Sequence, residues 1–372
     1  MKLFDVYSLL PIEPVRASGS RIWDTTGQEY LDLYGGHAVI SVGHAHPRYN
    51  DAIKNQLDHI SFYSNSVQNK LQEELAQKLG DLSGYPNFSL FLCNSGAEAN
   101  ENALKLASFV TGKKKIIAMK KAFHGRTSGA VAATDNSKIV APFNAGHEIM
   151  FVPMNDLAAL DEAFQEDVAG VIIEGIQGVA GIFEPTAAYL QHLEKKCRET
   201  GTILILDEVQ SGYGRTGKFF AHQHAGIRPH LITVAKGMGN GFPIGGVIID
   251  PELKPWSGML GTTFGGNHLA CAAGIAVLDI IKDEQLMENA QQTGSVLINE
   301  LNACLPAPVR GKGLILGFDT PESHPDLRKN LISKHRIFTG ESKPNIIRLL
   351  PSLALSKQDA EYFLQVLKTE LS

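Results

Sequence analysis

Residues 202–217 read TILILDEVQSGYGRTG. Five β-branched or apolar residues, Thr202-Ile203-Leu204-Ile205-Leu206, run directly into two carboxylates, Asp207 and Glu208, and then into a glycine-rich turn. A short run that is apolar throughout marks a strand covered on both faces, because a half-exposed strand would alternate. The same pattern recurs at Ser89–Cys93, Lys115–Met119, Val168–Ile173, Leu231–Ala235 and Gly246–Ile249. Helical spacing lies between these runs: Leu71, Leu75 and Leu79, then Ala97–Val110, then Ala187–Glu199. Strands that alternate with helices predict an α/β fold with a mostly parallel sheet covered by helices. In such sheets ligands sit beyond the carboxyl ends of the strands, so the chemistry belongs just after the apolar runs.

Three strand ends carry suitable residues. Asn94-Ser95-Gly96-Ala97-Glu98 stands between a strand and a helix. Ser95 and Glu98 have capping-box spacing, and Gly96 leaves backbone N–H groups free to face an anion at the helix N-terminus. An ordinary capped helix would look the same. Asp207-Glu208 would suit a metal, and a lone Asp there would equally suit a cationic cofactor atom. The glycines of 212–217 lack the order of a dinucleotide fingerprint. Thr233-Val234-Ala235-Lys236-Gly237-Met238-Gly239-Asn240-Gly241 ends an apolar strand in a lysine. Partial desolvation there lowers the amine's pKa, and the glycines that follow suit close approach of a flat ligand. An anion site, a sheet-end Asp and a desolvated Lys together meet the needs of pyridoxal phosphate (PLP), with Asp207 and Lys236 as the catalytic pair.

The flanks differ from this middle. Arg21–Asp24 and Glu29–Asp32 bracket a Thr-Thr-Gly-Gln turn and predict a hairpin. Gly313–Phe318 and Ile346–Leu350 read as strands, and Ser356 as the N-cap of the last helix. The expected division is a large domain over 41–280 and a smaller α+β domain over 281–372, to which 1–40 contributes. A length of 372 residues with 44% hydrophobic content gives ample core for two such domains. The net charge of -5 offers no basic field for nucleic acid. Cys93, Cys197, Cys271 and Cys304 are widely spaced and read as reduced thiols. With no apolar leader and no run of membrane-spanning length, a cytoplasmic protein without a membrane partner is expected. His44-Ala45-His46 and His222-Gln223-His224 lack a third ligand nearby, so no metal is expected.

Residues 206–221 (LDEVQSGYGRTGKFFA) and 233–246 (TVAKGMGNGFPIGG) resemble the class III, ornithine-type aminotransferases of PLP fold type I. The likeness extends over the whole chain, through YLDLYGGHAVISVGHAHP (30–47), NSGAEANENALKLA (94–107), FHGRT (123–127), GTTFGGNHLAC (261–271) and IIRLLPSL (346–353). Acetylornithine and succinylornithine aminotransferases are the members it most resembles. The resemblance implies that Lys236 binds the cofactor covalently and carries the proton, while Asp207 pairs with the ring nitrogen. It implies further that Val209 packs under the ring, Phe123 covers its other face, and Gln210 reaches its phenolic oxygen. Gly96 and Ala97 would bind the phosphate, with Ser95 beside them. Thr263 would reach the phosphate of a second copy, which implies a homodimer with shared sites. Arg126 and Arg348 would take substrate carboxylates, and Thr262 would touch substrate. The reaction implied is transfer of the δ-amine of an N-acylornithine to 2-oxoglutarate, giving glutamate, within arginine biosynthesis. Ornithine, 4-aminobutyrate and other ω-amines are the neighbouring alternatives.

One stretch departs from the family. Where members commonly show Glu-Pro-x-Gln-Gly-Glu-Gly-Gly, residues 174–181 read EGIQGVAG, so Val179 replaces the second glutamate. In relatives that glutamate can pair with the arginine matching Arg348. Its loss makes the site less acidic and favours a more anionic acyl group such as succinyl.

Overall fold

A computed structural model describes all of residues 1–372. The first three strands, β1 (Pro14–Ser18), β2 (Arg21–Asp24) and β3 (Glu29–Asp32), form an antiparallel meander that includes the expected hairpin. Seven strands then build the central sheet: β4 (Ser89–Cys93), β5 (Lys115–Met119), β6 (Ile149–Val152), β7 (Val168–Glu174), β8 (Ile203–Asp207), β9 (Leu231–Val234) and β10 (Gly245–Ile249). Their spatial order is β4-β10-β9-β8-β7-β5-β6. Pairings from β9 through to β6 are parallel, and β10 alone runs against its neighbours β9 and β4. The sheet is mostly parallel, as its apolar runs imply. Because β10 opposes both neighbours, β4 points the same way as β9, so their carboxyl ends share one edge.

The remaining strands are β11 (Arg310–Lys312), β12 (Ile315–Asp319), β13 (Ile337–Phe338), β14 (Gly340–Ser342) and β15 (Ile346–Leu349). Four of them form an antiparallel sheet in the order β11-β12-β15-β14, while β13 pairs with β3. The meander near the N-terminus is thereby joined to C-terminal chain. No helix is long and apolar enough to cross a membrane.

The two faces of β8 show how the core is divided. Ile203 and Ile205 pack with Ala99, Ala103, Leu106 and Ala107 of the helix Gly96–Thr111. Leu204 and Leu206 pack with Leu190, Leu193 and Cys197 of the helix Ala187–Thr200. This is the period-two alternation of a strand, and each such fully buried side chain is worth about 1.5–3 kcal/mol. Asp207 continues the Ile203–Ile205 face toward the first helix, and Glu208 takes the opposite side.

The helix Gly96–Thr111 begins much as the sequence implies, with one difference. Ser95 Oγ accepts from the Glu98 N–H at 3.1 Å. The return bond of a capping box, however, does not go to Ser95. Glu98 Oε2 accepts from the backbone and side-chain N–H groups of Asn94, both at 2.8 Å. At the other end of the chain Ser356 caps the helix Lys357–Glu370, accepting from the Asp359 N–H.

Candidate active site

Asp207 ends β8 and is 4% exposed. Its Oδ2 accepts from Asn100 Nδ2 at 2.8 Å and His124 Nδ1 at 2.7 Å, and its Oδ1 accepts from the Val209 N–H at 3.0 Å. Asn100 also donates to the His124 carbonyl (2.7 Å) and accepts from Thr233 Oγ1 (2.7 Å). The carboxylate is thus held in one orientation by groups from β9, the first helix and the segment after β5. Sequence reading missed Asn100 and Thr233. The available signal was an asparagine on the helix stripe that otherwise reads Ala99, Ala103, Ala107, where a buried amide needs partners.

Lys236 lies two residues past the end of β9, not at its tip as the apolar run implies, and opens a short 3-10 turn with φ +42°. A non-glycine residue in that region costs about 1–2 kcal/mol, a strain common at functional sites. Burial pushes its amine pKa down. Asp207 and Glu174 oppose this, and Arg348 and Arg215 reinforce it. The glycines that follow serve a different purpose from the one expected. A Cβ on Gly239 would stand 2.1 Å from the Phe242 carbonyl, and one on Gly237 would touch Tyr213 and Ser41. Gly239 lets the turn fold on itself, a side chain at 237 would meet only ordinary contacts, and of these glycines only Gly241 lines the cavity.

That cavity, of about 400 Å3, opens at the carboxyl ends of the central strands. Ser95, Gly96, Ala97, Phe123, Arg126, Asp207, Val209, Gln210 and Lys236 all line it. Gly96 is required by packing as well, since a Cβ there would come within 2.7 Å of Val209 Cγ1. Gln210 donates through Nε2 to the His37 carbonyl at 3.1 Å, while its Oε1 is buried without a partner. His37 belongs to a run of four residues with positive φ, Gly35 through Ala38, which aims its carbonyl at Gln210. His124 Nε2 is likewise buried without a partner. Orphaned buried polar atoms are rare and call for an explanation. A polar aromatic ligand supplies one, and the first N–H groups of the helix Gly96–Thr111 suit its phosphate. These residues fit PLP.

Three expected site residues lie outside the cavity lining. Thr262 sits in a separate surface depression, where its Oγ1 accepts from the Gly265 N–H at 3.1 Å. Thr263 lines neither. Arg348 is 4% exposed on β15, an interior strand of its sheet, so it is no edge-strand surface cation. It donates from Nη1 to the Gly178 carbonyl at 3.0 Å and from Nε to the Glu341 carbonyl at 3.1 Å. Arg126 is exposed at the mouth, 6.0 Å from the Phe123 ring centroid. Val179, also exposed, lines the cavity.

Glu208 is not a companion ligand to Asp207. Its carboxylate accepts from Ser211 Oγ and from the Ala221 and His222 N–H groups. It also binds His222 Nδ1 at 2.8 Å. Tyr85 Oη in turn bonds His222 Nε2 at 2.7 Å. The other paired histidines also have separate partners: Asp32 for His44, Glu284 for His46 and Thr216 for His224.

The family model for aminotransferase class-III matches residues 5–371. The chain is 41% identical to the acetylornithine aminotransferase of Bacillus subtilis, with 100% of this chain and 97% of that one covered. Its structure is similar to that of the ornithine aminotransferase from Toxoplasma gondii, with a TM-score of 0.92, 27% identity, and 99% and 92% of the two chains covered. It is similar also to taurine:2-oxoglutarate aminotransferase from Bifidobacterium kashiwanohense, solved in complex with PLP and glutamate. There the TM-score is 0.91 and the identity 26%, covering 100% of this chain and 94% of that one.

Proposed function

The chain belongs to the class III, PLP-dependent aminotransferases, and from that premise we propose that it moves the δ-amine of an N-acylornithine to 2-oxoglutarate. The products are the N-acyl-glutamate semialdehyde and glutamate. When bound, the cofactor supplies the electron sink that lets the amine-bearing carbon lose a proton.

The chain's own residues do the rest. Lys236 binds the cofactor and, once displaced, carries the proton, a task for which a depressed pKa suits it. Asp207 holds the ring nitrogen in its protonated form, steadied by Asn100 and His124. Phe123 and Val209 cover the ring, and Gln210 offers its amide to the phenolic oxygen. Gly96 and Ala97, with Ser95 beside them, bind the phosphate. Thr263 of a second copy completes that phosphate site and Thr262 contacts substrate, so the working unit is a homodimer. Arg126 takes the distant carboxylate of the acylornithine, which delivers the terminal amine to Lys236. Arg348 takes the α-carboxylate of 2-oxoglutarate, with Arg126 on its γ-carboxylate. We place the enzyme in the cytoplasm and in arginine biosynthesis.

The observation that carries this reading is the convergence of Lys236 and Asp207 on one cavity with a carboxylate-free Arg126 at its mouth. The identity to acetylornithine aminotransferases supports the substrate class. Val179, where relatives have glutamate, removes a negative wall and favours a succinyl over an acetyl group. The test is the visible spectrum of the holoenzyme before and after N-acetylornithine, N-succinylornithine, ornithine or 4-aminobutyrate, with no oxoacid present. Bleaching of the yellow form by an N-acylornithine alone is expected, faster with the succinyl compound. Bleaching by ornithine or 4-aminobutyrate instead reassigns the donor. A clear acetyl preference that is unchanged in Val179→Glu overturns the role given to Val179.

A further inference from the structure

Glu174 ends β7, one strand over from Asp207, and is 6% exposed. Its Oε1 accepts from the Phe123 N–H at 3.0 Å and its Oε2 from the Gly178 N–H at 3.0 Å. Each oxygen therefore anchors one wall of the cavity: the segment bearing Phe123, and the turn 175–181. That turn carries the Gly178 carbonyl on which the Arg348 guanidinium rests. Residue 178 is a glycine whose place a Cβ could take only by displacing the Gln210 amide, 1.7 Å away, so backbone bonds alone hold this point. The next carbonyl, that of Val179, accepts from Ser342 Oγ at 2.7 Å on β14. An unbroken path of bonds thus runs from Phe123 through Glu174 and Gly178 to Arg348. Both bonds of Arg348 go to backbone carbonyls and none to a carboxylate. No internal ion pair has to break when a carboxylate arrives, and one of the two bonds that orient the fork goes to a carbonyl of the 175–181 turn.

We propose that Glu174 is a positioning residue for the 2-oxoacid: by fixing the 175–181 turn it sets where Arg348 receives the α-carboxylate. This rests on the functional reading above. A bidentate arginine–carboxylate pair is demanding in geometry, so slackening the turn should weaken the oxoacid's binding far more than that of the donor, whose carboxylate goes to Arg126.

The experiment is a set of steady-state assays on holoenzyme at alkaline pH, where Glu174 is ionised, with KM measured for both substrates. Glu174→Gln leaves one oxygen to accept and turns an N–H toward the other donor. Glu174→Asp keeps the charge but is one methylene too short to reach both walls. Each should raise the KM for 2-oxoglutarate about tenfold or more, and that for the donor less than about threefold, the size expected of one lost charge-assisted contact. In an Arg348→Lys background the Glu174→Gln effect on the oxoacid should shrink below about threefold, because residues acting through one contact are not additive. Equal rises in both KM values overturn the proposal. So does a Glu174→Asp enzyme with wild-type KM, which would make charge rather than reach the cause, and so does full additivity with Arg348→Lys. A wild-type enzyme that accepts no 2-oxoacid would remove the functional reading itself, a failure visible before any variant is made.

Discussion

Gly178→Ala is a one-atom change whose consequences follow from the local geometry. The new Cβ would stand 1.7 Å from Gln210 Oε1, whereas ordinary contacts begin near 3.4 Å. Something must therefore move by well over 1 Å. The turn is fixed by Glu174 on the Gly178 N–H and by Arg348 on its carbonyl, so the Gln210 amide is the part that yields. Its bond to the His37 carbonyl is then lost, along with its reach to the cofactor. The His37 bond is lost from apoprotein and holoprotein alike, so only the cofactor bond enters the affinity: about 0.5–1.5 kcal/mol, or about 2–13-fold weaker PLP binding. The central sheet is untouched, so the apoprotein should lose no more than the His37 share, about 1 kcal/mol. The assay is titration of apoprotein with PLP by visible absorbance, beside urea melts of the same apoprotein. PLP affinity within twofold of wild type would refute the placing of Gln210 at the ring.

Other expectations follow from buried groups. Thr233→Val keeps the shape but removes the hydroxyl that Asn100 Oδ1 accepts; urea melts should show a loss of about 1–3 kcal/mol for the stranded carbonyl, and a loss below 0.5 would contradict the network. Glu174 is pushed up to about 7 by burial, with the Asp207 charge adding to the rise and His124 opposing it. The fold thus favours its protonated form. That contribution is full below the ordinary carboxylate pKa and disappears as pH rises through 7. Melting temperatures of apo Glu174→Gln should accordingly climb relative to wild type from pH 4.5 to 7 and then level off; a flat or falling difference would refute it. Cys93, Cys197 and Cys271 are buried, with thiols pushed up by burial, and only Cys304 is partly open. A thiol reagent should label at most one cysteine in the native protein and four after denaturation; rapid labelling of a second in the native state would contradict the packing.

The strands were legible because burial on both faces leaves a simple trace, an apolar run with no alternation. β4 and β5 stand where their runs do, β7 and β9 differ by a residue at one end, and β8 is displaced by one residue at both ends. The edge strand β6 was not read, although Ile149–Val152 is apolar throughout: the run is only four residues long, and only Val152 is fully buried. The reversed direction of β10 was also hidden, since an apolar run carries no sign of the direction in which it is traversed. Lys236 was legible as a residue but not in its conformation. Its positive φ, at the start of a tight 3-10 turn, leaves no trace in the apolar run before it.

The unread part of the site has a common physical character. Asp207 and Lys236 can be found from sequence because each follows a strand, and strand ends are where such sheets put chemistry. Asn100 and Thr233 act through bonds to residues 24–133 positions away, as in Asn100 to His124 and Thr233 to Asn100. No local period marks such pairs. What marks them is the cost of leaving a buried amide, hydroxyl or carboxylate unpaired. Each sits on a stripe that should be apolar, so each needs a partner that only the folded chain can supply. A polar residue on a buried stripe is therefore evidence of a network even before its partner is known. Here following such residues leads from Thr233 through Asn100 to Asp207, and from Phe123 through Glu174 to Arg348. The two paths run on either side of the cavity, one ending on the carboxylate assigned to the cofactor and the other on the arginine assigned to the substrate. Thr233→Val on the first should change cofactor affinity and Glu174→Gln on the second oxoacid binding, a separation that a shared general loss of stability could not produce.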